Sequence, residues 1–329
     1  MNEAKTSGPI PSEGQAGTFR TLLLFPHAGS FTIIAGLALT GFVINPAFLS
    51  ATNLWSVLSI AAMLSIASAG QTLVILSGNQ GIDLSVGTIM TCAALLVSGI
   101  GGTSDGALAP AVAAALILGA AIGLLNGLGV QVLRLYPLIM TLGVSFAVEG
   151  LGLVYAQARA PSMPGRFIET LGVGRFWGVP WIVIVAAGLA IALTLLLRYS
   201  RYGRMLYFVG SNIRAARAAG VPTARVVIGA YMASGILSAL AGVVLFGFAG
   251  SVNLSLGAPY TMMSVAAAVI GGASLSGGQG SFAGTVLGAI IFTLLTNLLI
   301  TLGFSPALRY IASGLVLFAV LLATSRETS

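Results

Sequence analysis

Long apolar runs, interrupted by glycine, proline, asparagine or charge, fill the chain from residue 28 to residue 323. A helix needs about 20 mostly apolar residues to cross roughly 30 Å of hydrocarbon, and a helix satisfies its backbone polar groups internally, as lipid demands. The interruptions divide the chain into about ten such spans, near 28–44, 54–77, 84–102, 107–133, 137–157, 180–198, 225–250, 260–275, 281–303 and 306–323. The predicted fold is all-α and polytopic. A polar tail covers 1–25 and one membrane domain covers 26–324.

Two interruptions look alike. Ser77-Gly78-Asn79-Gln80-Gly81-Ile82-Asp83-Leu84-Ser85-Val86-Gly87 and Ile270-Gly271-Gly272-Ala273-Ser274-Leu275-Ser276-Gly277-Gly278 each follow an apolar run with a glycine break and a short polar helix start. They lie about 190 residues apart, one per half, the pattern of a transporter built from repeats. Gly280, Gly284 and Gly288, like Gly123 and Gly127, have the four-residue spacing that brings helix backbones together in lipid.

Composition removes the soluble classes: 57% of residues are hydrophobic and 6% charged, against about 25% charged in ordinary globular domains. The net charge of +7 is no nucleic-acid signal, because the basic residues follow loops and form no basic or aromatic face. Six of the fourteen basic residues fall between positions 198 and 225, with no acid among them. Lys and Arg collect in short cytoplasmic loops, so this loop, the Arg134 turn and the Arg326 tail are expected on the cytoplasmic side, with both chain ends. The outside then receives 45–53, 103–106, 158–179, 251–259 and 303–305. The polar residues 1–20 read as a cytoplasmic tail, not a signal peptide.

Within the basic loop, Ser211 or Asn212 caps a helix start, Gly220 suits the position after its end, and Pro222 stops it. Ala215, Ala216, Ala218 and Ala219 give this short helix a slim surface flanked by Arg214 and Arg217. Helices under about 12 residues are marginal alone in water, so it needs a partner or the membrane surface; the plainer alternative is a solvated loop. Asp83 either caps the span that follows it or lines a solute path. Glu149 lies about 18 Å into its span from Pro137 at 1.5 Å per residue, where an unpaired carboxylate costs about 2.5–3.5 kcal/mol. It is therefore protonated, bonded to a neighbouring helix, or facing a wet cavity.

Catalysis and metal binding find no residues. His27 is the single histidine and Cys92 the single cysteine, which excludes zinc motifs, disulfides and Ser/His/Asp sets; no cofactor is expected. Leu275-Ser276-Gly277-Gly278-Gln279 spells the signature pentapeptide of ABC-type ATPases. Such enzymes also need a phosphate loop ending in Gly-Lys-Ser/Thr, and the only lysine here is Lys5.

Several collinear segments bring these features together: Gly81-Ile82-Asp83-Leu84-Ser85-Val86-Gly87, Gly123-Leu124-Leu125-Asn126-Gly127, Pro137-Leu138-Ile139-Met140-Thr141-Leu142-Gly143, Tyr202-Gly203-Arg204, Gly210-Ser211-Asn212 with Ala215-Ala216-Arg217 and Gly220-Val221, and 270–280. Over most of 40–322 the chain resembles permease subunits of bacterial ABC sugar importers of the ribose/xylose/galactoside type. The resemblance implies an inner-membrane permease that pairs with a second copy or a paralogue, with two cytoplasmic ATP-binding subunits and with a periplasmic sugar-binding protein. Ser211, Asn212, Arg214, Ala215, Ala216, Arg217 and Gly220 would form the coupling helix that fits the ATPase. Arg159, Arg166 and Arg175 would meet acidic residues of the binding protein, steering its docking. Candidates for the path are Gln71, Asn79, Gln80, Asp83, Asn126, Glu149 and Asn297, with Tyr155, Asn253 and Tyr260. The family usually has two glycines directly before Ile-Asp-Leu-Ser; here Gly78-Asn79-Gln80-Gly81 is longer and more polar, which leaves the solute open. The competing class is an ion-coupled secondary transporter, which would have to work through Asp83 or Glu149.

The purified chain is expected neither to bind nor to hydrolyse ATP, and hydrolysis above that of a mock purification would overturn this reading.

Overall fold

The computed structural model describes residues 28–101, 105–159, 161–309, 311–312, 314–315 and 318. The expected tail over 1–25 and much of the expected tenth span lie outside the described residues. In chain order the helices are α1 (Ala28–Ile44), α2 (Ala51–Leu76), α3 (Val86–Gly101), α4 (Leu108–Gln131), α5 (Pro137–Ala158) and α6 (Arg166–Val173). After a two-stranded hairpin, β1 (Arg175–Phe176) and β2 (Val179–Pro180), come α7 (Trp181–Tyr199), α8 (Arg201–Ser211), α9 (Ile213–Ala218), α10 (Thr223–Ala249), α11 (Ala258–Ile270) and α12 (Phe282–Thr301). Each of the first nine expected spans holds a helix. Among the described residues, α2, α4, α5, α7, α10 and α12 are long and apolar enough to cross a membrane.

The centre of the bundle is α2, whose residues 61–76 are all buried. α10, α12, α11 and α7 pack around it. Its polar residues can sit inside because their hydroxyls bond back along the helix: Ser65 to Ala61 O (2.7 Å), Ser68 to Leu64 O (2.6 Å) and Thr72 to Ser68 O (2.8 Å). α4 lies against α10 with no room for a Cβ at Gly119, Gly123 or Gly235, each of which meets backbone of the other helix. Gly284 and Gly288 pack α12 on α11 in the same way. Gly280 is a correction to the expected glycine ladder: with φ 128° it lies in the turn before α12 and packs on Ala273.

Three helices fall short of a full span, α1 (17 residues), α3 and α11, and the last two are half-helices in the sense that each follows a break in the chain. α3 has 16 residues and α11 has 13, about 24 and 20 Å at 1.5 Å per residue, short of the roughly 30 Å core. The residues leading into them, 77–85 and 250–257, are non-helical. The eighth span was expected to run to 275 but ends at Ile270, because Gly271 and Gly272 (φ 88°) turn the chain out of the helix. The basic loop is likewise not a loop. Residues 201–218 fold into α8 and α9, and α8 buries Gly203, Leu206, Val209 and Gly210 against the bundle.

Candidate functional site

The two half-helices start at one point. Gly87 lies against Gly257 and Thr261, and the Gly257 N–H donates to Thr91 Oγ1 (2.9 Å). From there α3 runs to the end of the bundle where Ser98 bonds Ser162, and α11 runs to the opposite end, where Gly271 packs on Gly284. Thr88, Thr91, Thr261, Glu149 and the first turns of both half-helices line a cavity of about 90 Å³. Ligand pockets usually measure about 300–1,000 Å³, so in this conformation the cavity is a constriction, not a finished binding site. Helix N-termini carry partial positive charge, and the threonine hydroxyls can both donate and accept. The lining thus mixes these hydroxyls and the Glu149 carboxyl with apolar Cys92, Leu95, Leu254 and Ala258.

Glu149 is exposed on α5, beside Leu142 and Phe146. Glu149 also lines the cavity, and among the described residues no neighbouring helix forms a hydrogen bond or ion pair with it. An acid at that depth cannot face lipid cheaply. This face of α5 therefore calls for protein or water over it.

Asp83 is fully buried. It is not the helix cap itself, since Ser85 takes that position, its carbonyl accepting from Ile89 N–H (2.8 Å). Asp83 sits two residues earlier and shapes the turn: Oδ1 accepts from the Ser85 N–H (2.9 Å) and hydroxyl, and Oδ2 from Ser234 Oγ on α10 (2.7 Å). Gln71 Oε1 accepts the Asp83 N–H (3.3 Å), and Asn126 Nδ2 donates to Ser85 Oγ (2.8 Å). Thr141 and Ser145 of α5 bond the Leu84 N–H (3.1 Å) and carbonyl (3.0 Å). Asp83, Gln71 and Asn126, each a candidate for the path, thus lie in one buried cluster that holds the break in place.

The remaining path candidates fall elsewhere. Asn79 and Gln80 are exposed at the turn after α2, both with left-handed φ (56° and 53°). The Asn297 amide pairs reciprocally with Asn53 (3.2 Å each way), clamping α12 to the first turn of α2. Sequence reasoning missed Ser234 and the pocket threonines. Their signal was a hydroxyl within a long apolar run, shared by too many residues to single them out.

At the basic end, Asn212 caps α9, accepting from Ala215 N–H (3.0 Å). Gly220 N–H bonds Arg217 O (3.1 Å) and Val221 N–H bonds Ala216 O (3.0 Å), the paired bonds of a Schellman ending that requires the observed φ of 79° at Gly220. Arg198, Arg201, Arg204, Arg214, Arg217 and Arg225 are all exposed. Ala216 corrects the expected slim surface: it is fully buried in the chain's own core with Leu206 and Val209. A residue two positions along is about 200° round a helix, so Ala218 and Arg214 form the outward face, and both are exposed. At the other end Arg159, Arg166 and Arg175 are exposed. Arg159 is tied to Gly99 O (2.9 Å), and Arg175 reaches Gly178 O (3.4 Å) beside the fully projecting Trp177.

Residues 53–321 match the family model described as branched-chain amino acid transport system / permease component. The chain is 34% identical to the ribose import permease protein RbsC of Escherichia coli (strain K12), over 90% of this chain and 93% of that one. It is 33% identical to the probable ABC transporter permease protein y4mJ of Sinorhizobium fredii, over 96% and 93%. It is also 33% identical to the fructose import permease protein FrcC of Rhizobium meliloti, over 87% and 81%. No solved structure matches the chain.

Asp83→Asn is expected to fold, because its amide oxygen still accepts from Ser85 and its NH₂ can donate to the Ser234 hydroxyl. Asp83→Leu strands buried donors at about 1–3 kcal/mol each and should lower the thermal midpoint of the detergent-purified chain. Equal midpoints for Asp83→Leu and the wild type would contradict the role given to this cluster.

Proposed function

The chain belongs to the family of branched-chain amino acid transport system permease components, and from that membership we propose how this multi-pass membrane protein works. It is the passive permease of an ATP-driven importer in the bacterial inner membrane. Separate ATP-binding subunits supply the energy, and a periplasmic binding protein delivers the solute. The ribose and fructose import permeases among its relatives support a monosaccharide-like solute, and the constriction between the half-helices offers such a solute the hydroxyls of Thr88, Thr91 and Thr261 beside apolar walls.

The observation that carries the reading is α9: a six-residue helix, capped at both ends and held on the bundle by Ala216, that turns Arg214 and Ala218 outward. The bundle accounts for its inner face, and the outward face of Arg214 and Ala218 is left for a docking protein. In this reading Ser211, Asn212, Arg214, Ala215, Arg217 and Gly220 form or shape the surface that meets the ATPase, and the 198–225 segment is cytoplasmic. Arg159, Arg166 and Arg175 then lie on the periplasmic face and meet the binding protein. A second permease copy or a paralogue covers the α5 face around Glu149, and the solute passes beside it. An ion-driven carrier would have to act through Glu149, because Asp83 is sealed among hydroxyls.

Ala218→Glu should reach the membrane and fold yet lose its ATPase in pull-down, and uptake with it, since its side chain fills the outward face and its carboxylate, four residues from Arg214, cancels the charge presented there. Ala216→Glu should fail earlier, at folding. Full partner capture and uptake in Ala218→Glu would reduce this end of the molecule to a solvated basic surface.

Glu149→Gln should insert, assemble and transport at the wild-type rate, whereas Glu149→Lys should not assemble. Loss of uptake in Glu149→Gln at normal membrane levels would favour proton coupling instead.

A further inference from the structure

The pentapeptide at 275–279 has no nucleotide to cradle, and its glycines do something else. Gly277 (φ 92°) and Gly278 (φ 70°) sit where three backbones cross. Gly277 lies against Gly78 at the end of α2 and against the Gly210 carbonyl near the end of α8. Gly278 lies against Ser211 and donates its N–H to Leu76 O (3.1 Å). A Cβ at Gly78, Gly210, Gly277 or Gly278 would meet backbone within 3 Å. The turn is closed on itself by Ser274 N–H to Gln279 O (3.0 Å) and Gly277 N–H to Ser274 O (2.9 Å), and Tyr207 Oη of α8 donates to Gly280 O (2.8 Å). Three main chains in direct contact, two of them joined by a hydrogen bond, leave little slack; packed interiors transmit displacement instead of absorbing it.

The connections at this crossing decide its meaning. α9 is joined to α8 by Asn212 alone, so any movement of α9 is handed to Gly210 and Ser211. The 77–85 segment leads from the crossing to α3, and the 271–281 turn leads from it to α11. α3 and α11 are the two half-helices whose N-termini meet at the constriction. Both of their connecting segments therefore converge on the one place where α8 hands over to α9.

We propose that this glycine crossing is the transmission contact of the transporter: displacement of α9 passes through Gly210, Gly277 and Gly78 to both half-helices, opening and closing the constriction between them. The glycines are positioning residues, acting through the backbones they let touch. The inference rests on the reading of α9 as the ATPase-docking element.

The test uses the complete transporter, with its ATP-binding subunits and binding protein, reconstituted in vesicles, and measures solute taken up per ATP hydrolysed. Gly277→Ala adds a methyl at the crossing. Gly272→Ala is the control, having the same left-handed strain (φ 88°) with open space around it. Gly277→Ala should keep its ATPase and continue to hydrolyse ATP, with solute per ATP reduced roughly tenfold, inside the range of ordinary coupling energies. Gly272→Ala should keep the wild-type ratio. Tyr207→Phe removes only the bond to Gly280 and should lower the ratio in the same direction by less. A wild-type ratio in both Gly277→Ala and Tyr207→Phe overturns the proposal. So does a Gly277→Ala that merely fails to fold while Tyr207→Phe keeps the wild-type ratio. A wild-type chain that retains no ATPase at all overturns the docking reading itself, which the ratio measurement does not touch.

Discussion

The structure is organised around a constraint that lipid imposes. Two short helices, α3 and α11, follow breaks in the chain, and the non-helical backbone before each must find hydrogen bonds without water. Before α3, Gln71, Asp83, Thr141 and Ser145 serve residues 82–85, drawing on α2 and α5, while Ser234 of α10 completes Asp83. Before α11, Thr91 of α3 serves the Gly257 N–H. The positions of five helices follow from these bonds, since each donor or acceptor has to arrive within about 3 Å of a fixed backbone atom.

Close approach is the second half of the same design. Side-chain hydroxyls reach only a short way, so the helices that carry them must lie nearly in contact. The glycines of α4 and α10, and of α11 and α12, let them do so. In lipid no hydrophobic force drives helices together, and packing with polar bonds has to suffice. Where that close contact ends, on α4, α5 and α7, large apolar residues such as Ile117, Phe146 and Ile191 stand exposed, ready for lipid or a partner subunit.

A bundle held this way is stiff along its bonded seams and open to movement where half-helices only abut. The first turns of α3 and α11 meet around a small cavity with threonines on its walls and a carboxylate at its edge. Their other connections gather at the basic end, next to the capped helix α9. In the function proposed above, energy supplied at one end and a solute admitted near the middle would be served by the same two elements, which both follow breaks in the chain.

How much of this was legible beforehand depended on how local the cause was. Nine helices fell where the apolar runs put them, because the need for about 20 apolar residues is written residue by residue. The cap at Asn212 and the ending at Gly220 were readable for the same reason, since each depends on neighbours within a few positions. Ala216 and Asn297 were not, because which side of a helix faces inward depends on what packs there: Ala216 turned out to fill the core, and Asn297 to clasp Asn53 from 244 positions away. Asp83 was legible as important, but its partner Ser234 looked like any other hydroxyl in an apolar run. The sequence by itself determined a polytopic helical permease with a basic end and a finished short helix there. Only the tertiary structure decided that the two broken helices meet, and that the pentapeptide's glycines touch Gly78 and Gly210, because a glycine declares freedom to approach without naming what approaches it.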